Sequence, residues 1–155
     1  MEPLSVYQEE LLDFLQNNRA FHSIDMEDLT QYLAICSEQH FPPDAYIARE
    51  GDIAEFFYVI KSGKVVVVKE NFVKNTSSKL AYLYPGECIG EVSLIENSPH
   101  SVCSASLKAD TETELLVFSI EELAERIDRN IYNTMIVNLA QLLCQRLRAS
   151  NERGK

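Results

Sequence analysis

The sequence predicts a mainly β protein in which a jelly-roll-like body is flanked by helices on both sides. Apolar residues recur at helical spacing near both ends of the chain, whereas the middle contains short apolar runs separated by turns. Four glycines lie between such runs, where a turn needs a positive φ or a close backbone approach. They are Gly51, Gly63, Gly86 and Gly90.

The length of the chain sets the number of domains that we expect. A chain of 155 residues with 46% hydrophobic content is long enough for one domain with a buried core. We therefore predict a single domain over 1–155. Its expected parts are N-terminal helices (1–40), a β body (41–118), C-terminal helices (119–150) and a tail (151–155).

Two helices are predicted before the β body. Ser5 followed by Gln8 is a capping box for the first helix. Asp25 and Asp28 can cap the second helix, in which apolar residues again recur at helical spacing. The two prolines that follow Phe41 stop the helical pattern.

The β body consists of seven short apolar runs. Ser62-Gly63 separates two of them and predicts a hairpin. The polar segment from Asn71 to Lys79 is expected to be a flexible connection between strands. Regular short strands with such turns predict a jelly-roll-like barrel or sandwich. The runs are YIA, FFYVI, VVVV, LAYLY, CIG, SVCSASL and ELLVF.

The C-terminal region predicts a short helix and then a long one. Ser119 with Glu122 forms a second capping box. From about residue 131 to Ser150, apolar residues cover an arc of roughly 180°, more than the ~100° that one subunit usually needs. The excess predicts a homodimer through this helix, unless the rest of the subunit buries the whole arc. The predicted interface residues are Ile131, Met135, Leu139, Leu142 and Leu143.

Charge and composition exclude several classes of partner. The net charge is −10, distributed as −11 up to Ile120 and +1 after it, so the chain lacks the clustered Lys and Arg of a nucleic-acid binder. No apolar run reaches the ~18 to 20 residues that would span a membrane, and the N-terminal sequence is acidic. We expect a cytoplasmic protein. Its four scattered cysteines are expected to be free thiols.

Two segments carry a resemblance to a known family. DAYIAREGDIAEFFYVIKSGKVVV and LYPGECIGEVSLIENSPHSV, followed by a terminal helix, resemble the cyclic-nucleotide-binding domain of catabolite-activator-like regulators and cyclic-AMP-dependent kinase regulatory subunits. The resemblance implies an eight-stranded β-roll, or double-stranded β-helix, with flanking helices. It also implies that a cyclic nucleotide, cyclic AMP or cyclic GMP, lies inside the roll against a phosphate-binding cassette.

The resemblance implies a role for each residue of the cassette. Gly90 and Glu91 match its opening, where the carboxylate accepts a hydrogen bond from the ribose 2′-hydroxyl. Val92 and Ser93 lie at the start of the family's short helix, whose backbone N–H groups face the phosphate. Two further residues, Ser101 and Val102, match the positions that present a hydroxyl or an N–H group to the phosphate.

His100 stands where the family has a phosphate-binding arginine. A charge-assisted hydrogen bond contributes roughly 1.5 to 3 kcal/mol, and a histidine with an ordinary pKa near 6.5 is mostly neutral at pH 7. Between Glu87 and Leu107 no Lys or Arg offsets the acidic residues. The sequence therefore predicts weak or altered nucleotide binding.

Three functions remain open from the sequence. The first is a regulatory sensor that binds a cyclic nucleotide and needs no cofactor. The second is a dimeric module that binds an unidentified protein and no nucleotide. The third, a metal-dependent enzyme on a related fold, needs a close set of histidines, but His22, His40 and His100 are far apart in the sequence. We therefore predict a protein that is not an enzyme.

Overall fold

A computed structural model describes residues 3–98 and 100–153 of the chain. They form two compact units: a helical unit of the residues up to Ile35 and from Glu121, and a β unit of Cys36–Ile120. The single domain over 1–155 stays a prediction. The helices are α1 (Val6–Gln16), α2 (Met26–Ile35), α3 (Glu91–Glu96), α4 (Ile120–Arg126) and α5 (Arg129–Arg153), with a 3₁₀ turn at Arg19–Phe21.

The β unit contains eight antiparallel strands in two sheets, as expected for a β-roll. One sheet has the order β1-β8-β3-β6 and the other β2-β7-β4-β5. The strands are β1 (Ser37–Phe41), β2 (Tyr46–Ala48), β3 (Phe56–Ser62), β4 (Val65–Asn71), β5 (Thr76–Leu83), β6 (Cys88–Ile89), β7 (Ser106–Ala109) and β8 (Thr113–Ser119).

A hydrophobic core is built from residues of both sheets. Because side chains alternate between the two faces of a strand, alternate residues of β3 and of β8 point to this core, together with the first residue of β4. Partly buried apolar residues of β1, β2, β5 and β7 pack against it. The buried core residues are Tyr58, Ile60, Val65, Ile89, Leu115 and Val117.

The predicted hairpin at Ser62-Gly63 is wrong, although the turn exists. Gly63 has φ +91°, but β3 pairs with β6 and β8 while β4 pairs with β5 and β7. A Cβ at Gly63 would lie 2.3 Å from the Glu112 carbonyl oxygen, so glycine permits a close approach to the turn before β8. The chain therefore crosses from one sheet to the other at this turn.

Three predicted boundaries also differ from the structure. Residues 37–40 were placed with the N-terminal helices but belong to β1, because they pair along β8. Residues 76–79 were predicted as a flexible connection but form the start of β5, paired with β4. Helix α5 continues through residues 151–153 of the predicted tail. The capping box of Ser5 and Gln8 is confirmed at α1.

Candidate functional site

The cassette, which we define as residues 90–98 and 100–104, opens at a glycine that no other residue could replace without strain. Gly90 precedes α3 with φ +91°, and a Cβ there would lie 2.7 Å from the carbonyl oxygen of Phe56. The Leu94 N–H donates to the Gly90 carbonyl at 3.1 Å, and the Leu94 side chain is fully buried. Glu91 is thereby held, half-buried, in the first turn of α3.

The returning part of the cassette is tied to the segment before β3. The Ala54 N–H donates to the Ser101 carbonyl at 3.0 Å, and the Cys103 N–H donates to the Asp52 carbonyl at 2.8 Å. Between these bonds, Ile53 and Val102 form an antiparallel bridge. The backbone around Ser101 is therefore fixed by pairing rather than left as a free loop.

One side-chain contact joins the two parts of the cassette. The Ser101 hydroxyl donates to Ser93 Oγ at 2.9 Å in a partly buried position. The structure therefore brings together two residues, eight positions apart, that were both predicted to bind phosphate. Val92 and Val102 have half-exposed side chains. Because a valine side chain has no polar atom, these two residues can offer hydrogen bonds to a ligand only from their backbone.

His100 lies at the exposed end of the cassette. Its backbone N–H donates to Ser98 Oγ at 3.3 Å, and its side chain is exposed to solvent. The position is consistent with a residue that reaches a ligand from the rim. A histidine there does not supply the fixed cation that an arginine would supply.

A lysine that the sequence analysis missed lies beside the cassette. Lys69 is on the same face of β4 as Val65, which belongs to the core, because both have odd positions along the strand. Its ammonium group donates to the Ser104 carbonyl at 3.0 Å. In the sequence Lys69 precedes Gly90 by 21 residues, so only the alternation along β4 could have indicated its direction.

A carboxylate holds this lysine in place. Glu50 Oε1 lies 2.9 Å from Lys69 Nζ, at ion-pair distance but without the alignment of a hydrogen bond. The Glu50 side chain is only 15% exposed, whereas that of Lys69 is 55% exposed. The Lys69 side chain is therefore accessible from solvent, whereas its partner carboxylate is mostly buried.

Two ionisable side chains at the cassette have raised pKa values. Burial raises the pKa of the Cys103 thiol, and the nearby Asp52 carboxylate raises it further. Burial also raises the pKa of Tyr58, with smaller contributions from Cys103 and Glu55. This part of the site thus lacks a thiolate or phenolate at neutral pH, and an anion would not meet those negative charges.

Comparison with known proteins identifies the family. Residues 38–130 match the cyclic nucleotide-binding domain. This match covers more than half of the chain. The chain belongs to the cyclic nucleotide-binding domain family. The match includes the whole cassette, Lys69 and, apart from Ser37, all residues of both sheets.

Individual members of the family agree with this assignment. The cyclic AMP receptor protein of Thermus thermophilus is 31% identical over 137 residues, which are 88% of this chain and 61% of that protein. The cAMP-dependent protein kinase regulatory subunit of Candida albicans is 28% identical over 124 residues, 79% of this chain and 25% of that protein. The chain therefore spans less than two thirds of either relative.

Solved structures confirm the fold of this cyclic nucleotide-binding domain. A cyclic nucleotide-binding domain from Methylobacillus flagellatus superposes with a TM-score of 0.77 and 28% identity, covering 95% of this chain and 82% of that one. The Thermus thermophilus catabolite activator protein gives a TM-score of 0.71 and 31% identity, with 87% and 61% covered. The predicted β-roll with flanking helices is therefore confirmed.

The three histidines of this family member lie in different places. His22 follows the 3₁₀ turn, His40 is on β1 and His100 is in the cassette. Within residues 3–98 and 100–153, no group of three or more His, Cys, Asp or Glu side chains could hold a metal ion. Over the same residues, no helix combines the length and the apolar character needed to cross a membrane.

The predicted dimer interface needs correction. Ile131, Met135 and Leu139 are buried within the chain, with exposed fractions of 9%, 0% and 1%. They cannot offer a surface to a partner in this conformation. The reason is that the helical unit uses this side of α5: the Tyr32 hydroxyl donates to the Ile131 carbonyl at 2.9 Å. Leu142 and Leu143 are half-buried.

Another side of α5 remains apolar and accessible. Four residues recur there at intervals of four, three and four, which places them in one row along a helix. Leu147 is 63% exposed, and the other three are half-buried. We call this row the apolar stripe: Ile136, Ala140, Leu143 and Leu147. Only Leu143 of the five predicted interface residues belongs to it.

Proposed function

We propose that this chain is a regulatory domain that binds a cyclic nucleotide, cyclic AMP or cyclic GMP, at the cassette, and that it is not an enzyme. The observation that carries the proposal is the 2.9 Å hydrogen bond between Ser101 and Ser93, which brings two predicted phosphate ligands together. The similarity to a cyclic AMP receptor protein and to a cAMP-dependent protein kinase regulatory subunit supports it. The cytoplasmic location stays a prediction.

In this proposal, Lys69 and His100 together supply the positive charge that the family's arginine provides. Lys69 supplies a fixed charge from the core-facing side of β4, and it leaves Glu50 to approach the phosphate. His100 adds a second charge from the rim when it is protonated. Because the lysine ammonium is a point charge without a bidentate fork, the affinity is expected to be lower than with arginine.

Calorimetric titration with cyclic AMP and cyclic GMP at pH 6 and pH 8 tests the proposal. We expect saturable binding of at least one nucleotide, stronger at pH 6 because the phosphate favours the imidazolium form of His100. His100→Arg is expected to strengthen binding at pH 8 by about 10- to 150-fold, the equivalent of a charge-assisted hydrogen bond of roughly 1.5 to 3 kcal/mol.

The role of Lys69 is tested separately. Lys69→Gln is expected to weaken binding by about 10- to 150-fold on the same physical basis. Lys61→Gln is the matched control, because Lys61 is on β3 and pairs with Glu38 at 2.8 Å. If both variants bind as the wild type does, Lys69 has no role in charge compensation, while nucleotide binding by the wild type still stands.

The alternative function is an interaction module that binds protein and no nucleotide. A specific feature favours it: the edge strand β5 is exposed along nearly all of its length, and the preceding turn shows Phe72 and Val73 with exposed fractions of 76% and 96%. Exposed edge strands pair readily with other chains. If neither the wild type nor His100→Arg binds a nucleotide at either pH, this alternative replaces the sensor.

In either case we propose a homodimer through the apolar stripe. Leu147→Glu places a charge in the row and is expected to shift a dimer to a monomer in sedimentation velocity. Val6→Glu is the control, because Val6 is an exposed apolar residue of α1, 73% exposed, outside the stripe. A wild type that sediments as a monomer at micromolar concentration contradicts the proposed dimer.

A further inference from the structure

The helical unit contains a polar cleft that the proposed function does not use. Its volume is about 460 Å³, within the range of ~300 to 1,000 Å³ typical of small-molecule sites. The end of α1 and the 3₁₀ turn form one wall, and α5 forms the other. The lining residues are Gln16, Asn17, Asn18, Arg19, His22, Asn138, Gln141, Leu142 and Gln145.

The composition of the lining points to a hydrophilic ligand with a negative charge. Eight of the nine residues are polar, and six of these carry a side-chain amide. No aspartate or glutamate is among them, although the chain has a net charge of −10. Arg19 contributes a permanent positive charge, which is suited to a phosphate or a carboxylate.

The floor of the cleft is rigid and leaves one acceptor available. Asn138 is only 9% exposed, and its Nδ2 donates to the carbonyls of Ala20 at 3.1 Å and His22 at 2.7 Å. Asn18 Oδ1 accepts from the Ala20 N–H at 2.9 Å, which fixes the same turn. Asn138 Oδ1, by contrast, accepts no hydrogen bond from any residue of the described part of the chain.

The walls of the cleft carry side chains with unused hydrogen-bonding capacity. Within the described residues, the side chains of Arg19, Gln141 and Gln145 make no hydrogen bond or ion pair with one another or with the rest of the chain. A glutamine amide both donates and accepts, which matches a hydroxyl group, itself a donor and an acceptor. Such a lining has no Phe, Tyr or Trp ring on which a nucleobase could stack, and its one aromatic ring is the imidazole of His22.

We propose that this cleft binds a small sugar phosphate. Arg19 binds the phosphate, while Asn138 Oδ1 accepts a hydrogen bond from a sugar hydroxyl at the floor. Gln141 and Gln145 bind further hydroxyls along α5. Because the ligand forms hydrogen bonds with polar groups that already project into the cleft, binding needs no rearrangement of the buried floor.

The cleft is independent of the proposed dimer, because the two use opposite sides of α5. At about 100° per residue, the centre of the apolar stripe lies roughly 180° from the cleft side of the helix. A second copy docked on the stripe would therefore leave the cleft open. The α5 residues on the cleft side are Asn138, Gln141, Leu142 and Gln145.

The experiment is a nuclear magnetic resonance titration of the ¹⁵N-labelled full chain with glucose 6-phosphate, with glucose and inorganic phosphate as separate probes. With glucose 6-phosphate we expect saturable shifts of the side-chain amide signals of Gln141 and Gln145. The expected Kd is about 1 mM, so the titration extends to about 10 mM. Glucose and phosphate alone are each expected to bind at least tenfold more weakly, because each satisfies only part of the lining.

Two variants locate the site. Arg19→Gln is expected to weaken glucose 6-phosphate binding at least tenfold, and Gln145→Ala to weaken it by a smaller factor. Arg148→Gln is the control, since Arg148 is an exposed arginine of α5 outside the cleft and its loss is expected to change nothing. Circular dichroism checks that each variant is folded.

Several outcomes overturn the proposal. The absence of saturable shifts in the wild type does so, as does binding that Arg19→Gln leaves unchanged. Equal binding of inorganic phosphate and glucose 6-phosphate would overturn the recognition of the sugar. Shifts confined to Ser93, Ser101 and their neighbours would assign the probe to the cassette and overturn the separate site. None of these results depends on whether a cyclic nucleotide binds.

Discussion

The two ends of the cassette differ in how tightly the structure holds them. At the opening, Gly90 has no room for a Cβ and Leu94 is fully buried, so both backbone and side chains are fixed. At the closing end, Ser101 is fixed by backbone pairing, whereas the His100 side chain is exposed. Packing thus determines the shape of the site. The charge of the site depends on position 100, where a substitution is expected to change the stability of the fold little. A cassette of this kind can change its charge and keep its geometry.

Within the cassette, the largest effect on stability is expected at its opening. Gly90→Ala places a Cβ at φ +91° and 2.7 Å from the Phe56 carbonyl oxygen. We expect a loss of about 1 to 2 kcal/mol from the left-handed backbone and about 1 to 3 kcal/mol more from the collision. Urea unfolding measures the free energy of unfolding.

A substitution at a second glycine distinguishes the cost of backbone strain from the cost of the steric collision. Gly51 has nearly the same φ, +89°, but a Cβ there would meet no atom within 4 Å. Gly51→Ala is therefore expected to cost only the backbone term of about 1 to 2 kcal/mol. Equal losses in the two variants would contradict the claim that Gly90 is needed for its close approach to Phe56.

Local patterns in the sequence predicted the parts of the fold that depend on local chemistry. The capping box at Ser5 depends on residues three positions apart, and it is present. The positive φ at Gly63 was also predicted, but the hairpin was not formed. Which sheet receives β4 depends on its pairing with β7 and β5, and no local pattern carries that information.

The candidate site shows the same limit. The resemblance placed Ser93 and Ser101 in one cassette, and the structure brings them into contact. It gave no indication of Lys69, because that residue reaches the cassette from another strand. Helical spacing correctly showed that Met135 is on an apolar side of α5, but spacing alone does not distinguish burial within a subunit from burial between subunits.

A smaller effect is expected at the link between the two ends. Ser101→Ala removes the hydroxyl that donates to Ser93, and we expect a loss of about 0.5 to 1.5 kcal/mol, the usual net contribution of one hydrogen bond. Ser93→Ala should cost a similar amount. Since the two residues share one bond, the double variant is expected to cost less than the sum of the single variants. Additive losses would show that the contact contributes nothing to stability.

The smallest effect on stability is expected at the closing end. The His100 side chain is exposed, and the hydrogen bond of this residue to Ser98 uses its backbone N–H, which an alanine keeps. His100→Ala is therefore expected to change the free energy of unfolding by less than about 0.5 kcal/mol, as is usual for surface substitutions. Urea unfolding at pH 6 and pH 8 measures this. A loss well above that value at either pH would mean that the imidazole supports the fold, and the charge of the cassette could then not vary independently of its shape. A negligible loss, combined with weaker nucleotide binding at pH 6, would assign the imidazole to the ligand.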